Sequence, residues 1–151
     1  MISDRYFEDY RPGETVRFGT IEVEEAEVIS FARRFDPQDF HVDPQAAQSS
    51  PFGGLIASGW HTAALMMRLL TDHFICRESG MGSPGIDELR WLKPVRPGDV
   101  LSLRVTVVSA APSKSKPDRG IVVTFIEVLN QADEVVMTLK AMMLLRRRSA
   151  D

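Results

Sequence analysis

Cysteine is nearly missing from this sequence, since Cys76 is the single one among 151 residues. A lone cysteine excludes an intrachain disulfide and a metal cage built from cysteine thiolates. Long hydrophobic runs are missing too: the most apolar stretch, residues 60–70, is interrupted by His61 and Arg68 and is too short to cross a bilayer. The sequence therefore favours neither a disulfide-stapled domain nor a membrane-spanning one.

A surplus of positive charge is also missing. Lysine and arginine total 18 against 21 aspartates and glutamates, a net charge of −3, whereas a nucleic-acid-binding domain is normally basic. The first ten residues carry acidic side chains and no apolar segment, so we do not expect a secretory signal. We expect a cytoplasmic protein that binds no nucleic acid and no membrane.

What the sequence does have is a globular composition, with 44% hydrophobic and 26% charged residues. Its length predicts a single domain over residues 1–151. Two helices are predicted early in the chain, over Glu24–Arg34 and Gly59–Phe74. Five strands are predicted, most of them late: Glu14–Glu22, Asp87–Pro94, Val100–Ser109, Ile121–Asn130 and Val135–Arg146. Helices followed by antiparallel strands indicate the α+β class.

The first helix has apolar residues at i, i+3, i+4 and i+7, which predicts one buried face made of Val28, Phe31, Ala32 and Phe35. Pro37 ends this helix, because the residue before a proline is pushed out of the helical region. Residues 36–57 then form one long connection with a helical turn at Pro44–Gln48, and connections of this length tend to be functional.

The second helix is apolar nearly all round, which is typical of a buried helix, and Ser58 is predicted to be its N-cap. We therefore expect one sheet wrapped around this helix. Three of its residues are interpreted as core, with the lining of a ligand tunnel as the alternative: Trp60, Met66 and Met67. Two histidines on the helix or at its end are interpreted as structural: His61 and His73.

The long connection carries the most distinctive local sequence, FDPQDFHVD at residues 35–43. Asp36 and His41 lie five residues apart, directly after a helix. A carboxylate and an imidazole with this spacing can hold one water between them and act on it as base and acid. The alternative is that Asp36 caps a turn and His41 is a surface histidine.

Glycines lead into the second helix in the segment FGGLIASGW, residues 52–60. Such an entry exposes backbone N–H groups at the positive end of the helix dipole, where an anion or a developing oxyanion is stabilised. Close packing is the alternative explanation. The spacing matches neither the dinucleotide-binding pattern nor the P-loop, so a nucleotide is not favoured.

Together with LKPVRPGDVL at residues 92–101, these segments resemble the MaoC-like dehydratases and (R)-specific enoyl-CoA hydratases, a family with the hot-dog fold. In that family the motif is an Asp, then x-Asn-Pro-x, then His-x-Asp, which aligns with Asp36–Asp43. The resemblance covers nearly the whole chain in the same order of elements. It implies an antiparallel sheet of about five strands wrapped around a long buried central helix.

The resemblance also implies a reaction, the reversible addition of water across the 2,3 double bond of an enoyl thioester. Asp36 and His41 would be the catalytic pair, with Asp36 as the base and His41 as the acid or with the roles exchanged or shared. The backbone N–H of Gly59 would be the oxyanion donor. Three residues are expected to contact the substrate: Phe40, Ser58 and Trp60. No metal or cofactor is implied beyond the coenzyme A or acyl carrier of the substrate, and a homodimer or a higher homo-oligomer is expected.

The chain departs from the family pattern around this site. Gln38 and Asp39 replace the usual Asn and Pro, Ala57-Ser58-Gly59 stands where the family has His-Gly, and a supporting serine of some members aligns near Met67. A site that loses its supports can keep its pocket and lose turnover, so a non-catalytic acyl-thioester binder is one alternative.

A hot-dog acyl-CoA thioesterase is the other alternative. Such enzymes commonly place an acidic residue on the central helix or in the loop before it. Here residues 59–71 contain no Asp or Glu, and Asp72 comes only at the end of the helix.

Overall fold

The computed structural model describes residues 4–149. A short 3₁₀ helix at Phe7–Asp9 precedes the other elements. The helices are α1 (Glu25–Phe35), α2 (Asp39–Val42), α3 (Pro44–Gln48) and α4 (Gly59–His73). The strands are β1 (Thr15–Glu22), β2 (Ile86–Trp91), β3 (Val100–Pro112), β4 (Arg119–Leu129) and β5 (Val135–Arg146). Both predicted helices and all five predicted strands are present, which confirms the α+β class.

The five strands form one antiparallel sheet in the order β1-β3-β4-β5-β2. Along β3 and β4 buried residues alternate with partly exposed ones, so one face of the sheet builds the core. Strand β5 lies between β4 and β2, and half of its twelve residues are buried. Strands β1 and β2 are the two edges of the sheet.

Helix α4 packs against the sheet through Leu65, Leu69 and Leu70, which are 2–6% exposed. The register of β1 shifts between Phe18 and Ile21, where the chain passes Leu69. Gly19 permits this close approach, since it has a φ of +82° and a Cβ there would lie 2.8 Å from a methyl carbon of Leu69. The sheet therefore wraps around the helix, and the predicted hot-dog architecture is confirmed.

One side of α4 stays exposed, contrary to the prediction that the helix is buried all round. Trp60 is 59% exposed and Met67 is 45% exposed, so their interpretation as core residues is wrong, whereas Met66 is buried as predicted. The sheet covers α4 on one side only, and the remaining described elements do not cover the stripe that carries Trp60 and Met67. An apolar composition therefore did not separate the sheet-facing side from the exposed side.

Helix α1 buries Val28 and Ala32 completely, in agreement with its predicted apolar face. Phe35, predicted on the same face, is 60% exposed and contacts the ring of Phe31 and the guanidinium of Arg34. Phe35 is the last residue of the helix, where the chain turns toward Pro37, so it no longer follows the buried side.

The long connection after α1 contains two short helices. The helical turn predicted at Pro44–Gln48 is α3, capped by the Asp43 carboxylate, which accepts hydrogen bonds from two backbone N–H groups. Helix α2 was not predicted, because four residues are too few to show a helical period. Within residues 4–149 no helix has both the length and the apolar character to cross a bilayer.

Candidate active site

The two residues of the predicted catalytic pair lie side by side. Asp36 is the C-cap of α1 and His41 lies within α2, which folds back over the end of α1. The His41 Nε2 atom is 3.3 Å from the Asp36 Oδ2 atom. His41 is only 5% exposed, so the alternative interpretation as a surface histidine is wrong. A water molecule bound beside these two atoms would contact both groups.

A backbone hydrogen bond on the side of the ring away from Asp36 fixes the orientation of His41. Its Nδ1 atom lies 2.7 Å from the carbonyl oxygen of Ile56, and a carbonyl only accepts, so Nδ1 carries a proton and donates. The Ile56 N–H in turn donates to the carbonyl of Phe40. In a neutral His41 ring, Nε2 therefore has a free lone pair directed at the Asp36 side. A ring that carries a proton on Nε2 as well is an imidazolium.

The Asp36 carboxylate receives one neutral donor on each oxygen. Gln38 Nε2 donates to Oδ1 at 2.6 Å, and Ser58 Oγ donates to Oδ2 at 2.7 Å. Burial raises the pKa of Asp36, but the hydrogen bonds from Gln38 and Ser58 and the charge of His41 lower it by more. The pKa of Asp36 lies below the usual value of an aspartate, so the group is a carboxylate at neutral pH.

Ser58 occupies the predicted N-cap position of α4, but its side chain makes no capping hydrogen bond. The hydroxyl points to Asp36 instead, and the residue is fully buried. Asp36 therefore receives a serine hydroxyl from position 58, while Met67, where a supporting serine of some members aligns, is exposed. Direct substrate contact by Ser58 stays a prediction.

Gly59, the first residue of α4, lies on the wall of the same cavity as Asp36 and His41. Its backbone N–H belongs to the first turn, which has no acceptor one turn earlier in its own helix. The indole of Trp91 covers the Cα of Gly59, and Trp91 Nε1 donates to the Gly59 carbonyl at 3.0 Å. Any side chain at position 59 would collide with this ring.

The cavity has a volume of about 380 Å³, in the range of small-molecule sites. Asp36 and His41 supply its polar end, and aromatic and aliphatic side chains form most of the remaining wall. Phe40 and Trp60, both predicted to contact substrate, lie on this wall. The rings of Trp60 and Trp91 pack edge to face, with 5.1 Å between their centroids. Substrate contact by these two residues stays a prediction.

Two parts of the site were missed by the sequence analysis. The Ile56 carbonyl, which orients His41, is a backbone group that every residue type carries, so the sequence does not mark it. Trp91 and the residues after it, Leu92–Val95, form the far wall of the cavity. They follow Gly59 by more than thirty positions, so no local spacing connects them to it.

Both helix histidines lie away from Asp36 and His41. His61 is buried, stacks on Phe31 and contacts Glu27 at 3.0 Å, which ties α4 to α1. His73 is exposed at the far end of α4. Among the residues described, no three His, Cys, Asp or Glu side chains are grouped so as to hold a metal ion.

Residues 8–130 match the protein family described as "MaoC like domain". The chain belongs to the MaoC-like family. A MaoC-like dehydratase of known structure from Rhodospirillum rubrum is 45% identical to it, with a TM-score of 0.89 and coverage of 97% of this chain and 99% of that one. This neighbour shares the hot-dog fold of the MaoC-like chain.

Two relatives of named activity extend the comparison. The 3-hydroxybutyryl-CoA dehydratase of Methylorubrum extorquens is 32% identical over 113 residues, 74% of the MaoC-like chain and 69% of the relative. The (R)-specific enoyl-CoA hydratase of Rhodospirillum rubrum is 30% identical over 111 residues, 72% of the chain and 74% of the relative. Family membership supports a hydro-lyase of the hydratase or dehydratase kind.

Proposed function

We propose that this MaoC-like chain adds water to, or removes it from, the 2,3 double bond of an enoyl thioester. The contact between His41 Nε2 and Asp36 Oδ2, at the polar end of an otherwise apolar cavity, carries the proposal. Hydration needs one group that takes a proton from water and one that delivers a proton to carbon. The two side chains supply both functions at a single point.

The hydrogen bonds around the pair favour a cycle with defined protonation states. Asp36, held as a carboxylate, takes a proton from the water as the water oxygen bonds to C3. His41, whose Nδ1 proton is engaged by Ile56, delivers a proton from Nε2 to C2 and therefore starts as an imidazolium. A proton then passes from Asp36 to His41 across the 3.3 Å contact and restores the starting state. Exchange of the two roles gives the same products.

The thioester oxygen gains negative charge while C2 is an enolate-like carbon. We assign its stabilisation to the backbone N–H of Gly59, at the positive end of α4 and on the wall of the same cavity. One donor of this kind is typically worth about 10²–10³ in rate. Phe40 and Trp60 are assigned to the acyl group, because they form apolar wall next to the pair.

The two alternative functions are less well supported. The carboxylate on the central helix, Asp72, forms an ion pair with Arg68 and lies thirteen positions beyond Gly59. At 1.5 Å per residue that is about 20 Å along the helix, so the central helix itself supplies no carboxylate to this cavity. A non-catalytic binder was suggested by lost supports, but Asp36 keeps a donor on each oxygen, from Gln38 and Ser58.

We also propose that two copies of the chain form a homodimer. Strand β2 is an edge of the sheet, and an unpaired edge is a surface that proteins generally cover. Large apolar side chains are exposed on or beside this edge and on the uncovered side of α4: Ile86, Trp91, Leu92, Trp60 and Met67. A second copy, paired edge to edge, would cover them.

The activity is tested by the loss of enoyl-thioester absorbance with crotonyl-CoA and with longer and branched enoyl-CoAs. Asp36→Asn and His41→Ala are each expected to lower kcat/KM by about 10²–10⁴. Asp72→Asn and His73→Ala are the matched controls, because they change the same residue types on α4 outside the cavity.

Release of free thiol from acyl-CoA, measured in parallel, would replace the proposal with a thioesterase. Equal loss of hydration activity in the control and the site variants would also contradict it. Ligand binding without turnover, unchanged in Asp36→Asn, would identify a binder.

A further inference from the structure

We propose that Ser58 is a positioning residue for the reaction: its buried hydroxyl fixes the Asp36 carboxylate against His41 instead of capping α4. This inference rests on the proposed function, because it concerns the group assigned to accept the proton. It assigns a role to Ser58, which stands at a position where the chain departs from the His-Gly pattern of its family.

The choice of partner by the Ser58 hydroxyl is the first observation. A serine at the N-cap normally accepts a hydrogen bond from an N–H group of the first turn, which stabilises the helix. Here the side chain makes no such bond, and the hydroxyl donates to Asp36 Oδ2 at 2.7 Å. A hydroxyl that donates to an anion forms one of the stronger hydrogen bonds available to a neutral group.

The second observation is which carboxylate oxygen is held. Oδ2 is also the oxygen that lies 3.3 Å from His41 Nε2. Ser58 therefore fixes the distance between the two groups that act on the water. Gln38 binds the other oxygen, Oδ1, so the carboxylate cannot rotate about its Cβ–Cγ bond without breaking both hydrogen bonds.

The two donors differ in their access to water. Gln38 is exposed, so a water molecule can replace its amide if the side chain is removed. Ser58 is fully buried, and removal of its hydroxyl leaves Oδ2 with only the longer contact to His41 Nε2, at 3.3 Å. Loss of Ser58 is therefore expected to cost far more activity than loss of Gln38, although both bind the same carboxylate.

Few groups influence the pKa of Asp36, which simplifies the comparison of the Ser58 and Gln38 variants. Among residues 4–149, the titratable group that acts on Asp36 through its charge is His41, on α2. The other contacts that lower the pKa of Asp36 are the neutral donors from the motif loop, Gln38, and from the start of α4, Ser58. Removal of the Ser58 hydroxyl therefore removes stabilisation of the carboxylate and raises the pKa of Asp36.

The test compares Ser58→Ala, Gln38→Ala and Ser79→Ala. Ser79 is an equally buried serine whose hydroxyl donates to the carbonyl of Arg5, away from the cavity, so it controls for the loss of a buried hydroxyl. We expect Ser58→Ala to lower kcat about 10- to 100-fold with little change in KM, and to move the acid limb of the pH profile to higher pH. Gln38→Ala is expected to lose much less, and Ser79→Ala to leave the profile in place.

A second readout does not depend on activity. The carboxyl carbon of Asp36, followed by ¹³C NMR against pH, is expected to titrate at higher pH in Ser58→Ala than in the wild type. Ser58→Cys, which nearly keeps the volume and donates more weakly, is expected to lie between them and serves if the alanine variant does not fold.

The outcomes separate the two proposals. An Asp36 titration that is the same in wild type and Ser58→Ala overturns the positioning role. Equal effects of Ser58→Ala and Gln38→Ala on kcat and on the titration also overturn it. A wild-type protein that hydrates no enoyl-CoA, but whose Asp36 titration moves in Ser58→Ala, supports the hold of Ser58 on Asp36 and overturns the hydratase.

Discussion

Replacement of Gly59 by alanine is expected to destabilise the protein because of Trp91, and not because of the backbone. The Gly59 φ lies outside the left-handed region, so alanine is compatible with the helix at this position. A Cβ atom there would nevertheless lie under 3 Å from three atoms of the Trp91 indole. Displacement of the indole breaks its hydrogen bond to the Gly59 carbonyl and its edge-to-face contact with Trp60.

The expected size of the effect follows from these contacts. Overpacking typically costs about 1–3 kcal/mol, and displacement of the indole also loses a hydrogen bond worth about 0.5–1.5 kcal/mol. We therefore expect Gly59→Ala to lower the free energy of unfolding by about 2–4 kcal/mol. In a chain of this length, such a loss lowers the melting temperature by roughly 10 °C.

A double-mutant cycle isolates the role of Trp91. Urea unfolding of the wild type, Gly59→Ala, Trp91→Ala and the double variant is measured at one protein concentration, because self-association would add a concentration-dependent term. With the indole removed, Gly59→Ala is expected to cost less than about 1 kcal/mol, since alanine favours a helix over glycine. The cycle should therefore give a large stabilising coupling between the two changes.

Two results would refute this reasoning. A Gly59→Ala protein as stable as the wild type would show that the indole does not restrict position 59. An equal cost of Gly59→Ala with and without Trp91 would place the restriction elsewhere in the cavity wall.

Two further predictions concern stability and assembly. Burial raises the pKa of Tyr10 to about 12, against the lowering effect of the Arg5 charge. The phenol therefore ionises more readily in the unfolded chain, so its contribution to the free energy of unfolding is fully present below about pH 10 and is lost as the pH rises toward 12. Tyr10→Phe should abolish that fall relative to the wild type in pH-dependent urea unfolding, and should cost about 1–3 kcal/mol at neutral pH because the Phe74 carbonyl loses its donor. In sedimentation velocity at micromolar concentration, the wild type should be a dimer and Ile86→Lys, on the β2 edge, should dissociate it. Val108→Lys adds the same charge at a comparably exposed apolar site on β3 and should leave the dimer intact; a monomeric wild type would contradict the proposed assembly.

Periodicity predicted most of the fold, because burial of one face imposes a regular pattern on the sequence. The alternation along β3 predicted a half-buried strand, and the long apolar segment predicted a helix at α4; both elements are present. Periodicity did not show which side of an apolar helix is covered. Trp60 and Met67 are as hydrophobic as the buried residues of the same helix. Whether a residue of α4 is buried depends on whether its side of the helix faces the sheet.

The candidate site was predictable in part for a different reason. Asp36 and His41 lie close in the sequence and their spacing brings them together once α2 forms, so a local motif was enough. The groups that orient them come from other segments. Ser58 was predicted as a helix cap because its position is that of a cap, and its actual partner lies 22 residues earlier. No rule based on local sequence decides whether the hydroxyl accepts from a backbone N–H of its own helix or donates to a distant carboxylate.

The cavity is built from two separate stretches of the chain. Residues 36–59 carry the pair, its hydrogen bonds and the start of α4, while residues 91–95 form the opposite wall. The stretches meet through the Trp91 indole and through one backbone hydrogen bond, from the Ala57 N–H to the Val95 carbonyl. Side chains at Leu92 and Pro94 can therefore change the shape of the binding space without altering the hydrogen bonds of the pair. Such a division allows selection for a differently shaped ligand to proceed in one stretch while the Asp36–His41 pair is kept unchanged in the other.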